Sequence, residues 1–488
     1  MKTKSIQKLY AALEEVEQDM LKSYDTYGNT TGVLHPSQVK SAMNLIHYLS
    51  LRNQDIRNLQ DALHINGLSS LASSEGHIRR QVQSILERLG KSYKPTEISK
   101  CDYHYGKKLL KSRSSTLFGE KPDDPIPYIM VTFDATFADN YGLIKTLLQN
   151  GMNVARINCA HDNETVWARM IYQIRKACRK TGLECKIYMD LAGPKIRAKL
   201  THKGKDDGKV KVKEGDLIWL AEDSSGFSDK DIVVHPNETG IVECLSKDNR
   251  VMIDDGIIKA EVVQVKGARA KLRIVRISSL KSQIKAGKGL NFPDSVLHIP
   301  SLTAFDRQCL QFICENADMI GYSFVRYPTD LEILQQSLEK ISATPPHIII
   351  KIETPEAVQH LPALLMQGMH KEVFGVMIAR GDLAVEIGFE RMGEIQEEIL
   401  WICEAAHVPV IWATQVLETL NKSGMATRSE ITDAAHAAMA ECIMINKGDY
   451  TIEVIETLRD ILARIGGHHI KKRFTFRPLN IARRFFSA

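Results

Sequence analysis

The chain has 488 residues, 44% of them hydrophobic and 25% charged, with a net charge of +5, the composition of a soluble globular protein too long for one ordinary core. So small a charge gives no reason to expect nucleic acid, although it suits an anionic substrate. Nine scattered cysteines, never spaced C-x-x-C, argue against a disulfide framework or a zinc knuckle, and neither a secretory signal nor an apolar run of about 18 residues is present, so a cytoplasmic location with no membrane partner is expected.

In chain order, Ile6, Leu9, Leu13, Val16 and Met20 fall at helical spacing. A second helical tract runs from Pro36 through Leu45, Leu49 and Leu59 towards Gly67, and a third from Glu75 to Leu89. These make a helical N-terminal domain over 1–90. Residues 91–126 lack a sustained period and end in Pro122, Pro125 and Pro127, which reads as a connecting arm whose basic residues form a solvated face.

From Tyr128 the pattern changes to short apolar runs alternating with helical stretches. Strands are expected at 128–133, 154–158, 186–190, 317–324, 347–353, 375–380, 408–414 and 442–446. Eight such units over about 260 residues match a (β/α)8 TIM barrel, whose usual size is about 250. The barrel is split into 127–198 and 281–466 by an insert, 199–280, rich in alternating β-branched runs. That insert is expected to be a small β-barrel-like lid domain able to exclude water from the barrel mouth. Residues 467–488 form a basic tail with interleaved phenylalanines, expected to dock on its own barrel or on a second subunit.

Three runs end in polar residues: His-Ile-Ile-Ile-Lys-Ile-Glu (347–353), Gly-Val-Met-Ile-Ala-Arg-Gly-Asp (375–382) and Val-Pro-Val-Ile-Trp-Ala-Thr-Gln (408–415). Lys351, Glu353, Asp382 and Thr414 therefore sit at or just past strand carboxyl ends, where α/β folds keep their chemistry. Glu353 and Asp382 can converge on a hard cation such as Mg2+. Period-two geometry puts Lys351 on the side of Glu353, as a cation for developing oxyanion charge or as a plain ion pair. Arg156, towards the end of the second run, and Arg197, following the third, would add phosphate-binding forks. Together they suit a small phosphorylated acid.

Between Tyr128 and about Asp460 the chain carries, in order, Gly-Met-Asn-Val-Ala-Arg-Ile-Asn (151–158), Gly-Pro-Lys-Ile-Arg (193–197), Ser-Phe-Val-Arg (323–326), Lys-Ile-Glu (351–353), Ala-Arg-Gly-Asp-Leu (379–383) and Ala-Thr-Gln-Val-Leu-Glu (413–418). With these motifs the run resembles the pyruvate kinase family. The resemblance implies transfer of a phosphoryl group from phosphoenolpyruvate to a nucleoside diphosphate. Glu353 and Asp382 would hold Mg2+ or Mn2+, and Lys351, Thr414 and Arg156 would be catalytic. Arg156, Ser323, Gly381, Asp382 and Thr414 would touch the substrate; Arg197, Asn158 and His161 would touch the nucleotide. The alternative is a non-catalytic homologue that binds phosphoenolpyruvate or a related acid in a regulatory or scaffold role.

Departures from the family sharpen these expectations. Asn158 and Asp190 of its monovalent-cation site remain, but Ala160 and Leu191 replace two hydroxyls, and Lys195 stands where the family has Glu. Lys195 is expected to substitute for the monovalent cation, making activity potassium-independent. On the nucleotide side, Asp134 and Asp162 are added acids expected to repel a polyphosphate, and the loop after the eighth run shrinks to Asn446-Lys447-Gly448-Asp449-Tyr450. No counterpart of the family's C-terminal allosteric domain is found, so control by sugar phosphates at that site is not expected. A homodimer through the barrel is.

Overall fold

The computed structural model describes residues 2–28, 33–121, 126–202, 205–206, 208–278, 283–466, 469–470 and 473–474. Eight parallel strands close into a barrel in chain order: Tyr128–Phe133, Val154–Asn158, Lys186–Asp190, Met319–Tyr322, His347–Ile352, Gly375–Ala379, Val410–Ala413 and Cys442–Ile445. The last pairs with the first, Tyr128 opposite Cys442. Their apolar runs are continuous because helices cover one face and the barrel interior the other; every residue of Tyr128–Phe133 and Gly375–Ala379 is buried. The first three strands end where the apolar runs do, but the last five stop one or two residues short, so Glu353 and Thr414 lie on loops and Asp382 in the first turn of the helix Arg380–Ile387. Among the described residues no helix is long and apolar enough to cross a membrane.

The insert forms an eight-stranded sheet that opens with Ala198–His202 and closes with Leu290–Asn291, with Lys209–Lys211 and Gln283–Lys285 paired beside it. It is an open sheet, where a barrel-like unit was expected. Its alternating residues build an apolar core of its own, including Ile218, Leu220, Val234, Val251, Ile258 and Leu272.

The N-terminal region holds the helices Lys2–Tyr27, Val39–Arg52, Arg57–Ile65 and Ile78–Arg88. The second expected tract is broken between Arg52 and Arg57, where Asp55 accepts the Arg57 backbone N–H at 3.2 Å. These helices share one continuous apolar core with the barrel: Leu13, Leu45 and Ile85 belong with Trp167 and Trp412.

The expected connecting arm instead contains a 16-residue helix, Tyr103–Phe118. Asp102 caps its start by accepting the Tyr105 N–H at 2.8 Å, and Gly119, at φ +97°, ends it. Its lysines 107, 108 and 111 are exposed as expected, but Arg113 is buried. The Arg113 guanidinium donates to the carbonyl of His407 at 2.9 Å, that of Ala406 at 3.3 Å, Ser41 Oγ at 3.1 Å and Gln38 Oε1 at 2.5 Å. One side chain thus joins the helical region to the loop that enters the seventh barrel strand. The docking expected of the 467–488 tail lies outside the described residues.

Candidate active site

The mouth at the carboxyl ends of the strands is organised around Lys351. Its Nζ lies 2.7 Å from Ser323 Oγ, 3.0 Å from Glu353 Oε1 and 3.2 Å from Asp190 Oδ2. Alternation along the strand sends Lys351 and Glu353 to the same side, as the sequence implied. Both are buried. Burial works against the ammonium, but the Asp190 and Glu353 charges hold its pKa above the ordinary lysine value.

Asp190, 1% exposed, sits at the end of the third strand. It accepts from Arg156 Nε at 3.1 Å, from the second terminal nitrogen of Arg156 at 2.5 Å and from the Tyr188 hydroxyl at 3.0 Å. Against burial, Lys351 and Arg156 hold its carboxyl below the ordinary range. Arg156 also donates to Thr132 Oγ1 at 3.1 Å. The fork expected to face a phosphate is therefore already engaged by an aspartate, with only its edge exposed. Arg197 is held differently: it donates to the Gly287 carbonyl at 3.0 Å, at the root of the lid.

Glu353 accepts the Phe324 N–H at 2.7 Å through its second oxygen. Burial, together with the Asp382 charge and against the pull of Lys351, pushes its carboxyl above the ordinary glutamate range. Glu353, buried, and Asp382, at the mouth, offer oxygen donors of the kind a hard divalent cation takes. Asp382 Oδ1 meanwhile lies 2.8 Å from Lys195 Nζ, which is also 3.7 Å from Asp255 of the lid. Lys195, expected to replace the charge of a monovalent cation, thus pairs with Asp382. Asn158 Oδ1 accepts the N–H of Ala160 at 3.0 Å in its own loop.

Thr414 Oγ1 accepts the Gly381 N–H at 2.9 Å, so the sixth and seventh strand ends meet. Thr414 has φ +67° and Gln415 +58°, a left-handed conformation uncommon for a β-branched residue. Arg380 holds it there. Its guanidinium donates to the Ala413 carbonyl at 2.9 Å and to the Thr414 carbonyl, and pairs with Asp433. Sequence reading assigned Arg380 no role, because its partner lies 53 residues away. Gly193 closes the site from the third strand's loop: at φ +64°, a Cβ there would lie 2.9 Å from Phe324 Cδ2 and Ser323 Cβ.

On the side of the mouth expected to face the nucleotide, His161 lies at the surface, where partial desolvation of its ring, with the charges of Lys447 and Arg197, lowers its pKa. Asp134 accepts the Thr136 N–H at 3.0 Å and lies 3.4 Å from Lys447 Nζ. The expected repulsion from Asp134 is thus offset by a lysine of the shortened loop. Asp162 takes up φ +62° in the loop after the second strand.

Fold and site together define a (β/α)8-barrel protein with an inserted β-domain and a cluster of paired charges at the barrel mouth. Residues 129–455 match the family described as pyruvate kinase, barrel domain, and the chain belongs to the pyruvate kinase family. Pyruvate kinase of Bacillus licheniformis is 33% identical over 327 residues, covering 65% of this chain and 53% of that protein. Pyruvate kinase of Geobacillus stearothermophilus is 32% identical over 326 residues, with the same shares. The chain spans about half the length of these curated relatives. A pyruvate kinase crystal structure from Cryptosporidium parvum superposes with a TM-score of 0.63 at 25% identity, covering 72% of each chain.

Proposed function

We propose that the protein transfers the phosphoryl group of phosphoenolpyruvate to a nucleoside diphosphate, giving pyruvate and a nucleoside triphosphate, without a potassium requirement. The observation that carries this reading is the convergence of Lys351, Glu353, Asp382 and Thr414 on one mouth. Glu353 and Asp382 are the residues that would hold Mg2+ or Mn2+, which when bound neutralises charge on the phosphoryl and carboxylate oxygens. Lys351 Nζ supplies a buried positive charge where the enolate oxygen develops as the phosphoryl leaves, a charge worth more there than in water. Ser323 and Asp190 hold that ammonium in place. Thr414, whose oxygen accepts the Gly381 N–H, passes its own hydroxyl proton to the methylene carbon of the enolate while taking one from a water molecule. Arg197, Asn158 and His161 form the acceptor side, and a barrel dimer in the cytoplasm is the working assembly.

The test is to incubate the purified protein with phosphoenolpyruvate, Mg2+ or Mn2+ and a panel of nucleoside diphosphates, with and without potassium, and to measure pyruvate. Turnover without potassium, abolished by Lys351→Met, is expected. Asp162 on the acceptor side favours one other reading, a phosphoenolpyruvate-binding homologue without activity. Saturable phosphoenolpyruvate binding with no turnover on any acceptor would establish that reading instead.

A further inference from the structure

The lid joins the barrel through two connections, and they are zipped to each other. The N–H of Ala198 donates to the Lys288 carbonyl at 2.8 Å, and that of Leu290 to the Ile196 carbonyl at 2.8 Å. Arg197 bridges to Gly289. Entry and exit thus form one ribbon that can only move as a unit.

Two side-chain hydrogen bonds tie that ribbon to the helix Arg380–Ile387. Lys195 of the entering segment pairs with Asp382 at 2.8 Å, and Asn291 Nδ2 of the leaving strand donates to Glu386 Oε1 at 2.8 Å. Asp382 and Glu386 are one helical turn apart, on one face. Asn291 is 5% exposed, and its Oδ1 finds no partner among the described residues. A buried amide that leaves its acceptor unused is costly. The bond to Glu386 is what that cost supports.

We propose that Glu386 is a positioning residue: through Asn291 it fixes the attitude of the lid ribbon on the helix that carries Asp382, so lid position and the placement of that carboxylate are coupled. This rests on the proposed assignment of Asp382 as a metal ligand, but the coupling itself does not require turnover. Glu386 needs to touch neither substrate nor metal. Its effect is carried by the rigid turn between it and Asp382 and by the Phe389 side of the same segment, which lies against lid residue Gly256.

The experiment uses the full chain and two readouts. The first is amide hydrogen exchange of the Arg380–Ile387 helix and of the lid strands Ile258–Lys266 and Arg269–Ile277, without ligands. The second is kcat and KM for phosphoenolpyruvate. Glu386→Met removes the acceptor at similar volume; Glu386→Gln keeps it; Asn291→Asp combined with Glu386→Gln reverses the direction of the bond.

Glu386→Met is expected to accelerate exchange in the helix roughly tenfold, as loss of one buried hydrogen bond implies, and to lower kcat more than it raises KM. Glu386→Gln and the reversed pair should stay within about threefold of the native chain. Unchanged helix exchange in Glu386→Met, or equal damage in Glu386→Gln, would overturn the proposal. If Glu386→Met does not fold, unequal exchange between Asn291→Asp alone and the reversed pair decides: rescue by the second substitution supports the coupling, and its absence refutes it. A native chain that shows the exchange pattern without turnover would sink the phosphotransfer reading and leave the coupling standing.

Discussion

Lys195 Nζ lies 2.8 Å from Asp382 Oδ1, so an ammonium from the root of the lid rests on a carboxylate of the sixth strand's helix. A divalent cation taking Asp382 as ligand would share it with, or displace, that lysine. Asp382 holds the lysine pKa above its ordinary value despite burial.

Replacing Lys195 should therefore tighten divalent binding. Two unit charges at 4 Å interact by about 1 kcal/mol in water and about 4 at the effective dielectric of a protein surface. Lys195→Met is expected to lower the dissociation constant for Mn2+ by roughly tenfold or more, measured by electron paramagnetic resonance titration. An unchanged constant would remove Asp382 from the metal site.

Lys351→Met should cost stability as well as turnover. It leaves Asp190 and Glu353, both at most 2% exposed, without their shared counter-charge. Breaking a buried pair in this way costs about 3–5 kcal/mol. Urea denaturation would read this, and a loss under about 1 kcal/mol would show that the carboxylates find other partners.

Asp134→Ala should release Lys447 towards the acceptor side. The pair is 3.4 Å apart and half-exposed, worth at most about 1 kcal/mol. A two- to fivefold fall in KM for the nucleoside diphosphate is expected, on the order of that energy. A rise would mean that Asp134 orients the lysine productively.

Arg113→Met should loosen the helical region from the barrel. Acceptors on Gln38, Ser41, Ala406 and His407 lose their donor together, at a cost of at least about 2 kcal/mol. The midpoint of urea unfolding should drop, with hydrogen exchange rising first in the Val39–Arg52 helix. An unaltered midpoint would show that apolar packing alone holds the region.

His47 gives a pH test. It is 2% exposed, and its Nε2 finds no partner among the described residues. Burial, and the charge of Arg79, lower its pKa from 6.5 to about 3. The unfolded chain then binds a proton below about pH 6.5 that the folded chain refuses until about 3, so the His47 contribution to stability is present above 6.5 and is lost as pH falls through that window. The slope approaches about 1.4 kcal/mol per pH unit. His47→Leu should flatten the stability profile by that amount between about pH 6 and 4, and a parallel profile would refute the assignment.

The barrel and the charged edge at its mouth were legible in the residues themselves. Apolar runs hidden on both faces mark parallel strands, and period two alone places Lys351 beside Glu353. The short range of those rules is why they hold: a strand's alternation depends only on neighbouring residues. The helix Tyr103–Phe118 escaped the same reading, because its buried face carries Gly106, Arg113 and Ser114 among its apolar residues. A polar interface hides the period that an apolar one displays, although Asp102 and Gly119 bracket the helix as cap residues.

What only the tertiary structure decided is which charges meet. Lys195 with Asp382, Arg156 with Asp190, Lys447 with Asp134 and Arg380 with Asp433 are pairs 187, 34, 313 and 53 residues apart in the chain. Side-chain partners at a barrel mouth are chosen by strand order and loop reach, quantities that no local pattern carries. The chain by itself specified the groups that could do phosphoryl chemistry; closure of the barrel specified which of them already hold one another.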